Sequence, residues 1–196
     1  MLGVSCYIIN MEIYLTSDHH FGHANICKFN RRDGTKLRPW DDPQVMDAEL
    51  IARWNSVVKP NDQVIHLGDV VMNRRFLGIY SQLHGDKKLI LGNHDIFEPQ
   101  DYLKYFRRLY GSMKLDNLML SHIPLHPLSI PPWCLANVHG HVHADSLADT
   151  KYYNVSVEVT DYTPQPLYLV KENIARAQLL AQDSAVIAQN IVLDII

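Results

Sequence analysis

Apolar runs of strand length recur along this chain, and each stops beside residues that can hold a metal ion. Ile13-Tyr14-Leu15 leads to Asp18-His19-His20, Val64-Ile65-His66-Leu67 to Gly68-Asp69, and Lys88-Leu89-Ile90-Leu91 to Gly92-Asn93-His94-Asp95. Leu118-Met119-Leu120-Ser121 ends at His122, and Ala136-Asn137-Val138 runs into His139-Gly140-His141-Val142-His143. In α/β folds, sites form at the carboxyl ends of strands, where residues distant in sequence meet. The pattern therefore restricts the chain to an α/β fold with mixed sheets whose strand ends converge. Side chains alternate along extended chain, so Asp18 and His20 should face one way and His19 the other.

The intervening segments read as scaffold. Asp41-Asp42-Pro43 predicts a helix start with an Asp N-cap and Pro at the first position. Val45, Met46, Leu50, Ile51, Trp54, Val57 and Val58 then form one apolar stripe, the mark of a core-packing helix. Residues 73–84 should be helical, with Phe76, Leu77, Tyr80 and Leu83 inward, and residues 97–109 should contain a helix. Residues 123–132 carry four prolines and predict a loop. Residues 152–159 and 167–170 have strand composition, and 172–189 have helix composition. Without repeats, long linkers or low-complexity tracts, one domain over residues 1–196 is the expectation, with its chemistry within 18–143. Residues 1–10 read as an extra strand or turn, or as sequence upstream of a start at Met11.

Composition narrows the function. The chain has 196 residues, 47% hydrophobic and 20% charged, which is the balance of a folded globular protein. A formal net charge of -3, with no basic or aromatic-interleaved stripe, counts against a nucleic-acid-binding footprint. Arg31, Arg32, Lys36 and Arg38 offer only a local basic patch. Cys6, Cys27 and Cys134 lack CxxC spacing and read as free thiols of a reducing, cytoplasmic compartment. No run approaches the about 20 apolar residues of a membrane span.

The candidate ligands are Asp18, His20, Asp69, Asn93, His122, His141 and His143. They combine hard oxygens with imidazoles and include no thiolate, which suits Mn, Fe, Zn, Ni or Co over a structural Cys-rich zinc site. They are too many for one tetrahedral ion and match two ions that share a bridging carboxylate.

In its motifs the chain resembles the calcineurin-like metallophosphoesterase superfamily. The blocks Asp18-His19-His20, Gly68-Asp69, Gly92-Asn93-His94-Asp95, His122 and Gly140-His141-Val142-His143 follow that family's order, and Ser17-Asp18-His19-His20-Phe21-Gly22-His23-Ala24-Asn25-Ile26 is similar to small bacterial and phage members. The resemblance implies a four-layer α/β/β/α sandwich of two mixed β-sheets flanked by helices. It implies two divalent metal ions, manganese first among them. Asp18, His20 and His143 would hold one ion and Asn93, His122 and His141 the other, with Asp69 bridging. It also implies phosphoester hydrolysis by direct attack of a metal-bridging water, with no covalent enzyme intermediate. His94 would contact the phosphate or protonate the leaving oxygen, Asp95 would fix the His94 ring, and Gly92 and Gly140 would let backbone approach the metals. One departure stands out: relatives place an acidic residue or Asn two residues beyond the x of Gly-Asp-x, where this chain has Met72.

Other residues divide by position. Asn93, His94, His23 and Arg74 are candidates for substrate contact, Arg74 through its planar fork. His66 reads as a satisfied core histidine, His139 as a support behind the ligands, His19 as either support or substrate contact, and His84 and His126 as surface. The favoured substrate is a small-molecule or nucleotide phosphodiester. A nuclease acting on DNA or RNA, a phosphomonoesterase, and a non-catalytic binding scaffold such as the retromer subunit of the same superfamily are the competing readings.

Overall fold

A computed structural model describes residues 11–193 of the chain, so the expectation for residues 1–10 lies outside the described residues. In chain order the strands are β1 (Ile13–Thr16), β2 (Gln63–His66), β3 (Asp86–Ile90), β4 (Arg108–Tyr110), β5 (Ser112–Leu115), β6 (Leu118–Ser121), β7 (Ala136–His139), β8 (Tyr152–Asn154) and β9 (Gln165–Pro166). The helices are α1 (Pro43–Val57), α2 (Pro99–Tyr102) and α3 (Leu167–Leu193). One sheet has the order β4-β3-β2-β1-β9 and the other β5-β6-β7-β8. Both are mixed. β1 to β4 run parallel with β9 antiparallel, and β6 to β8 run parallel with β5 antiparallel.

The two sheets pack face to face and helices flank them, as the resemblance implies. Leu15, Ile65, Leu67 and Ile90 of one sheet meet Leu118, Leu120, Ala136 and Val138 of the other. Each such side chain, buried in full, contributes about 1.5–3 kcal/mol. On the opposite face of the first sheet, Val64 and Leu89 pack with Met46, Leu50 and Trp54 of α1. α1 begins as its sequence predicts: the Asp42 side chain accepts from the Gln44 N–H and Pro43 occupies the first turn.

Parallel register aligns the chemistry. Thr16 pairs with His66 and His66 with Leu89, so β1, β2 and β3 release the chain at one edge and deliver Asp18, Asp69 and Asn93 there. In the second sheet Leu120 pairs with Val138, which brings His122 and the His141-Val142-His143 segment to the same edge.

Two elements differ from expectation. Residues 167–170 are the first turn of α3, not a strand. Leu167, Val170 and Ile174 are buried at helical spacing, and a short apolar run fits either period. Residues 152–159 split into β8 and a 3₁₀ turn at Val157–Val159, with Val155 facing the core between the sheets and Val157 the core under α1. Residues 97–109 contain a helix as expected, the four-residue α2, before the chain turns into β4. The segment after Asn73 is a 3₁₀ helix, Arg74–Ser81, with Leu77 and Tyr80 buried. Among the described residues, no helix is long and apolar enough to cross a membrane.

Candidate metal centre

The candidate ligands converge, and Asp18, Asp69, His122 and His143 share one design: one polar atom is tied to the scaffold and another faces a common space. Asp18 Oδ2 accepts from the His141 N–H and the Ser156 hydroxyl, both at 2.9 Å, while Oδ1 has no partner. Asp69 Oδ1 accepts from the His94 N–H at 2.9 Å, and Oδ2 lies 3.5 Å from His20 Nε2 and 3.4 Å from His122 Nε2. His122 Nδ1 bonds the Leu67 carbonyl at 2.7 Å, which turns Nε2 toward Asn93 Oδ1 at 2.9 Å. Asn93 Oδ1 also meets His141 Nδ1 at 2.8 Å. His143 Nδ1 bonds Glu158 Oε1 at 3.0 Å. His20, almost fully buried, has no partner at either ring nitrogen.

A divalent ion fits this set. Buried polar atoms are nearly always paired, so the free Asp18 Oδ1 and His20 nitrogens call for a ligand. Asp18, His20 and His143 present atoms all within 4.8 Å of one another, and so do Asp18, Asp69 and His122. The second group includes Asp18, which the sequence reading assigned to one ion alone. Asp69 Oδ2 nevertheless sits between His20 and His122, the place a bridging carboxylate needs.

The backbone is bent to make this meeting possible. Asp18, His20, Asp69, His141 and His143 all have φ between 50° and 71°. Non-glycine residues seldom adopt this left-handed conformation, which persists where surroundings enforce it, often at functional sites. Asp18 and His20 therefore do face one space while His19 faces away, but left-handed turns achieve this rather than extended alternation. Two glycines are needed for close approach. A Cβ on Gly92 would collide with Asp69 Oδ1, and one on Gly140 with Ser17 Oγ and Asp18 Oδ2.

Burial and pairing set the charges. Burial alone would raise the Asp69 carboxyl, but the hydrogen bond and charge of His122 hold it at about 2. Burial pushes the Asp18 carboxyl up. It lowers the His20 imidazole well below its ordinary range, which leaves a neutral ring able to coordinate.

The remaining sequence candidates separate clearly. His94 is exposed above the cluster, its ring 5.5 Å from that of His20. His23 is half-buried at the rim, 5.8 Å from the His20 ring. Asp95 differs from expectation. Instead of fixing the His94 ring, its carboxylate accepts the backbone N–H groups of Asp69, Val70 and Gly92 at 2.8, 3.0 and 2.8 Å. Arg74 is engaged elsewhere, with Nε 3.1 Å from Asp101 and its guanidinium over the Phe97 ring. Arg38 belongs to no surface patch, because it is fully buried.

Supporting histidines behave as read. His66 is buried between His19 Nδ1 at 2.8 Å and the Tyr80 hydroxyl at 3.0 Å, and burial holds it at about 3. His19 is fully buried in the same group, a support and not a substrate contact. His139 is buried and bonds the Gly140 carbonyl, and His126 is exposed. His84 is exposed, as read, and its Nδ1 bonds the Val58 carbonyl. Cys27 and Cys134 are free and buried. Glu158 and Ser156 escaped sequence reading because they lie outside any motif.

Two cavities border the cluster through different ligands. One, about 400 Å³, is lined by Phe29, Arg31, Arg32 and Leu37 and reaches His141 and His143. The other, about 360 Å³, is lined by Gly111, Ser112, Ile123 and Leu125 and reaches Asn93 and His122.

Residues 11–183 match the family model for calcineurin-like phosphoesterase. An uncharacterized protein, MJ1445, from Methanocaldococcus jannaschii is 34% identical over 183 residues, covering 86% of this chain and 94% of its own. Gene 66 protein of Mycobacterium phage D29 is 29% identical over 174 residues, covering 71% of this chain and 82% of its own. The crystal structure of AQ665, a protein of unknown function from Aquifex aeolicus, superposes with a TM-score of 0.63 at 26% identity, covering 83% of this chain and 99% of that one.

Proposed function

We propose that this chain, which belongs to the calcineurin-like phosphoesterase family, hydrolyses phosphodiesters of small molecules or nucleotides with two divalent ions, Mn²⁺ foremost. Family membership carries metal-dependent phosphoester hydrolysis. The preference for a diester rests on the two cavities, each bordering the ligand cluster through different residues. A diester has a substituent on either side of phosphorus and can use both; a monoester fills one.

Asp18, His20 and His143 would hold one ion and Asn93, His122 and His141 the other, with Asp69 shared. When bound, such ions offset charge on the phosphoryl oxygens and bring a water's pKa near neutrality. The residues around them do the rest. His94, exposed over the cluster, donates a proton to the leaving oxygen as its bond to phosphorus breaks, then regains one from solvent. His23 at the rim and the Asn93 amide orient the phosphate. Asp95 keeps the Asp69 and Gly92 loops in register, so the shared carboxylate stays aimed.

The test is hydrolysis of bis-p-nitrophenyl phosphate and p-nitrophenyl phosphate by metal-stripped protein, with and without Mn²⁺. Mn²⁺-dependent cleavage of the diester, with the monoester much slower, is expected. A preference for the monoester would overturn the diester reading. Oligonucleotides cleaved far faster than nucleotide diesters would identify a nuclease.

A further inference from the structure

We propose that Glu158, with Arg38, is a positioning device for one of the two ions only, the ion of Asp18, His20 and His143. The proposal rests on the dinuclear reading above. Glu158 is buried in the 3₁₀ turn after β8, outside every motif of the sequence. Its Oε1 takes His143 Nδ1 at 3.0 Å and Arg38 Nε at 2.9 Å, with Arg38 Nη2 at 2.7 Å. Arg38, fully buried, continues inward: Nη2 donates to the Asp18 carbonyl at 2.5 Å and Nη1 to the His19 carbonyl at 2.7 Å.

One ion pair thus fixes the whole of one ligand group. The Glu158 carboxylate requires the proton of His143 on Nδ1, which leaves the Nε2 lone pair for a metal. A carboxylate behind a ligating histidine acts in this way generally, and its loss costs 10–100-fold in metal affinity. The Arg38 guanidinium holds the carbonyls at the turn where Asp18 and His20 adopt left-handed φ values of 61° and 50°. The other group reaches this pair only indirectly, through the His141 N–H on Asp18 Oδ2. His122 is fixed by the Leu67 carbonyl, and Asn93 meets His122 and His141 directly.

Stability alone is a poor explanation for the pair. Buried ion pairs often stabilise no better than apolar residues of the same volume. Holding three ligands in a strained geometry gives the pair a reason to be there.

The experiment is calorimetric titration of Mn²⁺ into metal-free wild type and Glu158→Gln, with folding checked by circular dichroism. Two ions in wild type are expected. In the variant one ion should bind about 10–100-fold more weakly while the other is unchanged. Equal affinities in both proteins, or equal weakening of both ions, overturns the proposal alone. A wild type that takes up a single ion overturns the dinuclear reading and the proposal with it. Nitrogen NMR of the Zn²⁺-loaded wild type is independent of whether the variant folds. His143 protonated at Nδ1 and bound through Nε2 supports the proposal, and coordination through Nδ1 refutes it.

Discussion

Replacing Asp95 by Asn should destabilise the whole site from beneath. Asp95 is 8% exposed, and its carboxylate gathers three backbone N–H groups from two loops. Asn keeps one acceptor oxygen. At best it retains the pair of bonds from Asp69 and Gly92, now to a neutral acceptor, and turns an amide N–H against that of fully buried Val70. Weakening two charge-assisted bonds costs about 1 kcal/mol each, and an orphaned buried N–H costs about 1–3 kcal/mol. The total is about 3–5 kcal/mol, or roughly 6–20 °C in Tm at about 2–4 °C per kcal/mol for a chain of this length. Thermal unfolding of metal-free wild type and Asp95→Asn at pH 7 reads it directly. Mn²⁺ affinity should fall as well, because Asp69 is anchored through these bonds. A Tm shift below about 2 °C, with metal binding intact and only turnover lost, would refute the reasoning and return Asp95 to the His94 ring.

Further consequences concern single groups. Asp69→Asn should empty or disorder both ion positions, and full occupancy by elemental analysis would contradict its shared role. His94→Ala should retain both ions yet lose about 10²–10⁴ in kcat, with the loss smallest for leaving groups that need no proton; an unchanged kcat on a poor leaving group would remove it from that role. Asp47, whose carboxylate accepts the Gly22 N–H, is pushed by burial from 3.8 to about 6. The folded state then holds more protons than the unfolded one between those values, so its contribution to stability falls as pH rises through that window. Relative to Asp47→Asn, wild type should lose up to about 3 kcal/mol between pH 4 and 7, measured by denaturant unfolding. A difference independent of pH would show that Asp47 titrates normally.

The candidate ligands were legible because two signals coincide at each: an apolar run of strand length, and a residue type that such a run does not need. That is why Asp18, Asp69, Asn93, His122, His141 and His143 could be named from the sequence and meet in the structure. The reason given for Asp18 and His20 was incomplete, since left-handed φ is invisible in a string of residues. Arg38 looked like surface because arginine usually is; only its pairing with Glu158, 120 positions away, makes burial tolerable. Asp95 was misassigned because backbone N–H groups are shared by every residue type, so nothing in the sequence marks them as its partners. Leu167 to Val170 is too short a run to tell period 2 from period 3.6. The cavities are lined by irregular segments, where side-chain direction follows no period at all.

The most direct measurement is anomalous X-ray diffraction from crystals of the wild-type protein equilibrated with Mn²⁺. The account predicts two peaks roughly 3.5–4 Å apart. One should lie among Asp18, His20 and His143 and one among Asn93, His122 and His141, with Asp69 reaching both. A single peak, or peaks away from these side chains, would contradict it.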